Sequence, residues 1–287
     1  MHFPKARYMQ LPVSTAHYPL FSDFVQTTFP CELDPWQVWL CNRLERLRYE
    51  RGQRIILSVC PQIGKSVVVA QRLIPYLIGC NPQSRNGIAS LNAMKSIDQV
   101  MVMQSLMRGQ EYLRLFPSSD VRITSDARQE QFSVQARASM HDGEPSVVSL
   151  NMNTDFVGRG WDGTLVLDDP YSSAVEANDP GFNEQLRDFL SRRVEPRLTS
   201  DANVIVCFHR YHAKDLAGYL IERDPAEWEY IRLAAIADDE PEYPDPLGRL
   251  PGELLSTRLD TEMLQKLKDE DLPLFRARFQ GLPCEKL

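Results

Sequence analysis

The stretch SVCPQIGKSVVVA, residues 58–70, sets a Gly-Lys-Ser triplet between two apolar runs. RIILSV (54–59) leads into it, an unbroken apolar segment suited to a strand buried on both faces of a parallel sheet. A helical pattern follows as far as about Gly79. Strand, tight loop and helix is the order a phosphate-binding loop requires. Successive backbone N–H groups at a helix start face the anion, and the helix dipole favours negative charge there. On this reading Cys60, Pro61, Gln62, Ile63, Gly64, Lys65 and Ser66 form the cradle. Lys65 reaches the β- and γ-phosphates and the Ser66 hydroxyl ligates Mg2+. The usual loop has a glycine five places before its Gly-Lys-Ser; Val59 stands there instead.

Working outward, Trp36, Leu40, Leu44 and Leu47 recur on one helical face, with Asp34 as N-cap, Pro35 at the first helical position and Gly52 as the stop. NGIASLN (86–92) reads as a strand, followed by a Met-rich helix through Met107 whose methionines are core filler. Residues 121–150 alternate polar and apolar, which suggests strands or a hairpin. GTLVLDD (163–169) and NVIVCF (203–208) are further apolar strands, with a helix over 183–193 between them. Strands separated by helices argue for an α/β fold, a mostly parallel sheet with helices on both faces. Residues 238–252 are rich in Pro and acid and form a surface loop or boundary; beyond them lie one short helix and a tail. The division expected is an N-terminal arm (1–30), an α/β core (31–223) and a lid or linker region (224–287).

GTLVLDDP ends a strand on two carboxylates. Asp168 is placed to hold Mg2+ and Asp169 to polarise an attacking water. Lys65 and Asp168 are separated by enough chain for intervening α/β units, so both loops fall at the carboxyl edge of one sheet, where open α/β folds bind ligands. In VCFHRYH (206–212) another strand ends on His209 and Arg210. Two histidines at a strand end without a third ligand make poor zinc chemistry, and His209 is better read as a sensor linking the γ-phosphate to the following helix.

Composition bounds the rest. The chain has 287 residues, 43% hydrophobic and 25% charged, with a net charge of −7. These are the values of an ordinary globular chain, and any nucleic-acid contact must come from a local basic patch. No apolar run is long enough to cross a bilayer. Six cysteines without a CxxC pair read as reduced, mostly buried thiols.

Three stretches together resemble the large terminase subunits of tailed bacteriophages, the ATP-driven DNA-packaging motors. GRGWDGTLVLDDP is similar to that family's Walker B region, IVCFHRYHAKDLAGYL to its coupling motif, and GIASLNAMKSIDQVM to the strand–helix unit after the phosphate loop. PLFRARFQGLP looks like the segment where these ATPases hand over to a nuclease, so the likeness runs from about Asp34 to the C-terminus. Terminases commonly lack the first loop glycine, which accounts for Val59. Pro61 stands where many members have arginine, and His209 where threonine is usual.

The resemblance implies a P-loop NTPase of the additional-strand catalytic-glutamate (ASCE) type, with Asp169 in the glutamate's place and a small lid. It implies ATP and Mg2+ as ligands, Gln37 as the adenine-reading residue, and Arg159 as an arginine finger reaching a neighbouring subunit. It further implies double-stranded DNA, a procapsid portal protein and a small terminase subunit as partners. The expected assembly is a homo-oligomeric ring, a pentamer, in the bacterial cytoplasm and docked transiently on the procapsid, with no membrane partner. The arginines of residues 43–54 and 187–197 are candidates for gripping DNA phosphates. The family's nuclease domain is expected to be missing, the chain being either an excised motor or naturally without it. The rival readings are a helicase-like DNA-dependent ATPase and an assembly factor that binds nucleotide without hydrolysing it.

Overall fold

The computed structural model describes residues 18–90, 92–140, 143–152, 160–240 and 242–283. Arg159 lies outside them. Seven strands form one sheet: β1 (Arg54–Val59), β2 (Asn86–Ala89), β3 (Gln131–Phe132), β4 (Val147–Leu150), β5 (Thr164–Asp168), β6 (Asn203–Phe208) and β7 (Trp228–Leu233). Their spatial order is β3-β4-β2-β5-β6-β1-β7, parallel throughout except where β3 meets β4. The helices are α1 (Phe21–Thr28), α2 (Pro35–Glu45), α3 (Leu73–Cys80), α4 (Ala93–Arg108), α5 (Gln110–Leu115), α6 (Gln135–Ala138), α7 (Ala174–Asn178), α8 (Pro180–Asp188), α9 (Leu216–Arg223), α10 (Thr261–Glu270) and α11 (Leu272–Arg278).

The period of two along each strand divides the interior into two cores. Ile55, Leu57 and Val59 of β1, Val166 of β5, and Ile205 and Cys207 of β6 face one core, shared with α1 to α5. Ile56, Leu165, Leu167, Val204, Val206 and Phe208 face the other, packed by α7, α8 and α9. Both faces of the central strands are therefore apolar, which is why their sequence reads as solid apolar runs.

Several elements depart from the sequence reading. The first expected helix ends at Glu45 rather than at Gly52 and tightens into a 3-10 turn over Arg46–Arg48. The helix after the Gly-Lys-Ser contains a wide π-type segment, Val67–Arg72, before α3. Among the described residues of 121–150, the alternation supplies the two-residue edge strand β3, the short α6 and an isolated bridge between Ile123 and Val134, besides β4. Two helices, α10 and α11, stand where one was expected. The sheet also runs past residue 223, since β7 pairs with β1 over its whole length.

Within the stretch read as an N-terminal arm, α1 buries Phe21, Phe24 and Val25 completely. The Phe24 ring lies 5.6 Å from Tyr76 and 5.8 Å from Phe116, centre to centre, so α1 shares an aromatic cluster with α3 and the end of α5. Phe24→Ala should lower stability by about 3–5 kcal/mol, read from urea unfolding. A loss below about 1 kcal/mol would show that α1 is not part of this core.

Candidate functional site

Strands β1, β6 and β5 are neighbours, and their carboxyl ends rise to one level. Ser58 pairs with Phe208, and Asp168 pairs with Cys207. The loops leaving these three strands therefore converge. After β1 the chain makes a tight turn with φ of 65° at Gln62 and 92° at Gly64. Gly64 carries no Cβ; one built there would stand 3.2 Å from an Arg258 guanidinium nitrogen and 3.4 Å from Gln37 Nε2. Glycine thus serves both the left-handed backbone and the close approach of two other segments. Burial pushes the Cys60 thiol up to about 12, which leaves it neutral and unreactive in the turn.

Four charges meet at this edge. Lys65 Nζ donates to Asp169 Oδ1 at 2.5 Å and lies 3.8 Å from Asp168 Oδ1. Lys95 Nζ, from the first turn of α4, is 2.7 Å from Asp169 Oδ2 and 3.2 Å from Asp168 Oδ2. The Ser66 hydroxyl donates to Asp168 Oδ2 at 3.1 Å, and Gln99 Nε2 donates to the same oxygen at 2.7 Å. Asp168 is fully buried. Burial opposes the charge on Lys65, but Asp168, Cys207 and Asp169 together hold it above the usual lysine range. Burial also opposes the charge on Asp169, and the two lysines override it and hold its carboxyl below the usual range.

Asp169 has φ of 48°, left-handed backbone for a residue with a side chain. Aspartate tolerates that region better than most, and the remaining strain of about 1–3 kcal/mol is the kind concentrated at working sites. Its N–H donates to the Cys207 carbonyl at 2.9 Å, so β6 fixes where the second carboxylate points. The structure thus brings Lys65, Ser66, Asp168 and Asp169 together as the sequence reading expected. It adds Lys95 and Gln99, which that reading does not reach. Both carboxylate oxygens of Asp169, the residue expected to polarise water, are engaged by lysines here.

His209 follows β6 between the other two loops. Its Nε2 is buried without a hydrogen-bond partner, and its ring centre lies 4.5 Å from that of Tyr211. Burial foremost, then the positive charges of Arg278 and Lys65, bring its pKa from 6.5 down to about 4. Next along the chain, Arg210 Nε meets both oxygens of Asp215 at 2.9 Å, in a pair with almost no solvent contact. Asp215 also accepts from the N–H groups of Tyr211 and Gly218 and caps α9. Removing either member would strand the other as a buried charge, so the pair ties the post-β6 turn to the start of α9.

Gln37 is fully buried beside the Gly64 turn. Its Oε1 accepts the Asp34 N–H at 2.9 Å in a capping box. The acceptor that the sequence reading offered to a base edge is therefore committed to the helix cap, and only Nε2, buried and unpartnered, remains free. Asp34 in turn accepts from the Ser256 hydroxyl at 2.6 Å and lies 3.8 Å from Arg258 Nε, which ties the C-terminal segment to the same spot.

The two arginine groups nominated for DNA are largely occupied. Arg43 pairs with Glu229, Arg46 with Glu50, Arg48 with Glu45, and Arg54 donates to the Ala202 carbonyl. Arg192 pairs with Asp188, while Arg187, Arg193 and Arg197 donate to backbone carbonyls. Asp162, just before β5, is held by Arg85 at 3.0 Å. Among the described residues no group of three or more acidic, His or Cys side chains is arranged to hold a metal, and no helix is long and apolar enough to cross a membrane.

The depressed His209 has a consequence for stability. Between pH 6.5 and about 4 the unfolded chain takes up a proton at this residue that the folded chain refuses, so folding loses stability as pH falls through that window. The loss should reach about 3 kcal/mol near pH 4, and His209→Asn should remove it from urea unfolding curves taken across the range. An unchanged pH slope in the variant would contradict the burial of a neutral imidazole.

No family model and no curated protein matches the sequence. Among solved structures, the large terminase of bacteriophage HK97 superposes with a TM-score of 0.53 at 11% identity, over 92% of this chain and 55% of that one. The large terminase of a thermophilic bacteriophage is matched over 88% of this chain and 54% of its own at 10% identity, with a TM-score of 0.45. The chain spans about half the length of the structures it matches. Over nearly all of its own length it has a fold similar to that of the HK97 large terminase.

Proposed function

We propose that this chain is the ATP-hydrolysing motor domain of a large terminase subunit, which uses ATP and Mg2+ to drive double-stranded DNA into a procapsid. The observation that carries this reading is the meeting of Lys65 and Ser66, from the turn after β1, with Asp168 and Asp169 at the end of β5. The strand order supports it: β6 lies between β1 and β5, the additional strand of ASCE ATPases. The residues fit the ligands. Ser66 Oγ and Asp168 Oδ2 are hard oxygen donors 3.1 Å apart, suited to Mg2+. The left-handed turn at Gln62 and Gly64, with the orphaned Nε2 of Gln37 beside it, supports a nucleotide at this loop.

When bound, Mg2+ would neutralise charge on the phosphates. Lys65 exchanges its carboxylate partner for phosphate oxygen, which frees Asp169 Oδ1. Asp169, held by the Cys207 carbonyl, then orients and polarises water. The Asp168 oxygens keep Ser66 in register, and Gln99 keeps Asp168 turned toward the loop. Arg159, as the finger of a neighbouring subunit in a pentameric ring, completes the proposed machinery. The portal, the small subunit and the bacterial cytoplasm are its proposed setting.

A second reading has one specific observation behind it. With both Asp169 oxygens taken by lysines, the chain would bind nucleotide without hydrolysing it in any assembly state. Steady-state ATP hydrolysis across protein concentration, with and without duplex DNA, separates the two. The motor reading expects a rate that rises with concentration or DNA and falls by about 100-fold or more in Lys65→Ala and in Asp169→Asn. A Lys65→Ala variant as fast as wild type would overturn it.

A further inference from the structure

Among the described residues, one cation near the sheet edge lacks an acidic partner. Lys65 and Lys95 answer Asp168 and Asp169. Arg278, the last residue of α11, makes no hydrogen bond or ion pair among the described residues, and its Nε is buried without a partner. Its guanidinium carbon stands 5.8 Å from the centre of the Tyr211 ring, and that ring centre is 4.5 Å from His209. Arg278 and His209 thus lie against the same Tyr211 ring, in the turn that follows β6.

The backbone following Arg278 is pinned to the same strands. A Cβ at Gly281 would lie 3.0 Å from Ser58 Oγ of β1 and 3.2 Å from the Tyr230 hydroxyl of β7. Tyr230 donates to the Gly281 carbonyl at 2.8 Å, and the Ala235 N–H donates to the Phe279 carbonyl at 2.7 Å. The backbone beside Arg278 is thus fixed, while its buried Nε lacks the acceptor that a buried donor calls for. Arginine's planar fork suits phosphate oxygens, and the imidazole against the same Tyr211 ring supplies one more donor without adding charge repulsion.

We propose that Arg278 of α11, with His209 against the same Tyr211 ring, receives the terminal phosphate of a bound nucleoside triphosphate from within the same chain. This holds only if residues 60–66 bind a nucleotide, as proposed above. It makes the C-terminal segment a reader of the triphosphate state: occupancy would draw on α11, and through Gln280 and its bonds to the Ile236 N–H and carbonyl, on the loop after β7. This cation in cis is distinct from the finger expected from a neighbour.

The test is equilibrium binding to the full chain, with Mg2+, of fluorescent ATPγS and fluorescent ADP. A short DNA duplex provides a third arm. Arg278→Met retains the apolar stem, Arg278→Lys retains the charge, and melting temperatures check that each variant folds. Losing one charge-assisted contact should weaken ATPγS by about 10–100-fold in Arg278→Met and leave ADP within about twofold. Arg278→Lys should recover part of the loss, and duplex affinity should not change. Equal weakening of both nucleotides, or of neither, would overturn the assignment while leaving the nucleotide site standing. Lost duplex binding with the preference for triphosphate retained would also overturn it and assign the guanidinium to a DNA phosphate. A wild-type chain that bound neither nucleotide would overturn the nucleotide reading and this one with it.

Discussion

Two adjacent aspartates at the end of a buried strand repel each other and resist desolvation, and the rest of the site follows from how the fold answers them. Asp168 is sealed from solvent, where an unpaired carboxylate would cost several kcal/mol. The answer is two lysines from different segments, Lys65 beyond β1 and Lys95 on α4, with Ser66 and Gln99 completing the hydrogen bonds. Such a cluster is balanced but poised, because any ligand bringing negative charge competes for the same lysines. A phosphate would draw Lys65 away from Asp169, and a divalent cation would displace ammonium groups from Asp168. In the resting arrangement the two acids occupy the lysines that an incoming anion would seek.

Strand order makes the cluster possible. Asp168 and Lys65 are far apart in sequence, yet only β6 separates their strands, and β6 itself holds Asp169 through the Cys207 carbonyl. The same strand leads into His209 and then into the Arg210–Asp215 pair that caps α9. A change at the acids is therefore only a short stretch of chain away from a rigid helix start. On the other side of β1, β7 anchors the segment that carries Arg278. Both routes out of the site begin at strand ends, where small shifts become movements of whole elements.

The sequence reveals those parts whose signal is local. Strands β1, β5 and β6 are legible because strands buried on both faces read as solid apolar runs, and Asp34 with Pro35 marks the start of α2. WEYIRL escapes such a reading because β7 lies at the sheet's edge and Glu229 and Arg232 interrupt its apolar residues, with Glu229 exposed and paired to Arg43. Phe21 and Phe24 read as part of an arm because eight helical residues give too few turns for a periodic signal. Lys95 and Gln99 look like ordinary polar positions on an amphipathic helix, and only the pairing of β2 with β5 brings α4 over the acids. Gln37 stands out in the sequence, but not the use of its oxygen for its own helix cap, which depends on a turn geometry a sequence does not display.

The central claim is that Lys65 is held by Asp169 only until a triphosphate replaces it. A structure determined with Mg2+ and a non-hydrolysable ATP analogue tests this most directly. The account predicts the analogue's phosphates against residues 60–66, with Lys65 Nζ moved from Asp169 onto phosphate oxygen and at least one Asp169 oxygen free for water. An analogue bound elsewhere, or one seated on the loop with the Lys65–Asp169 contact intact, would contradict it.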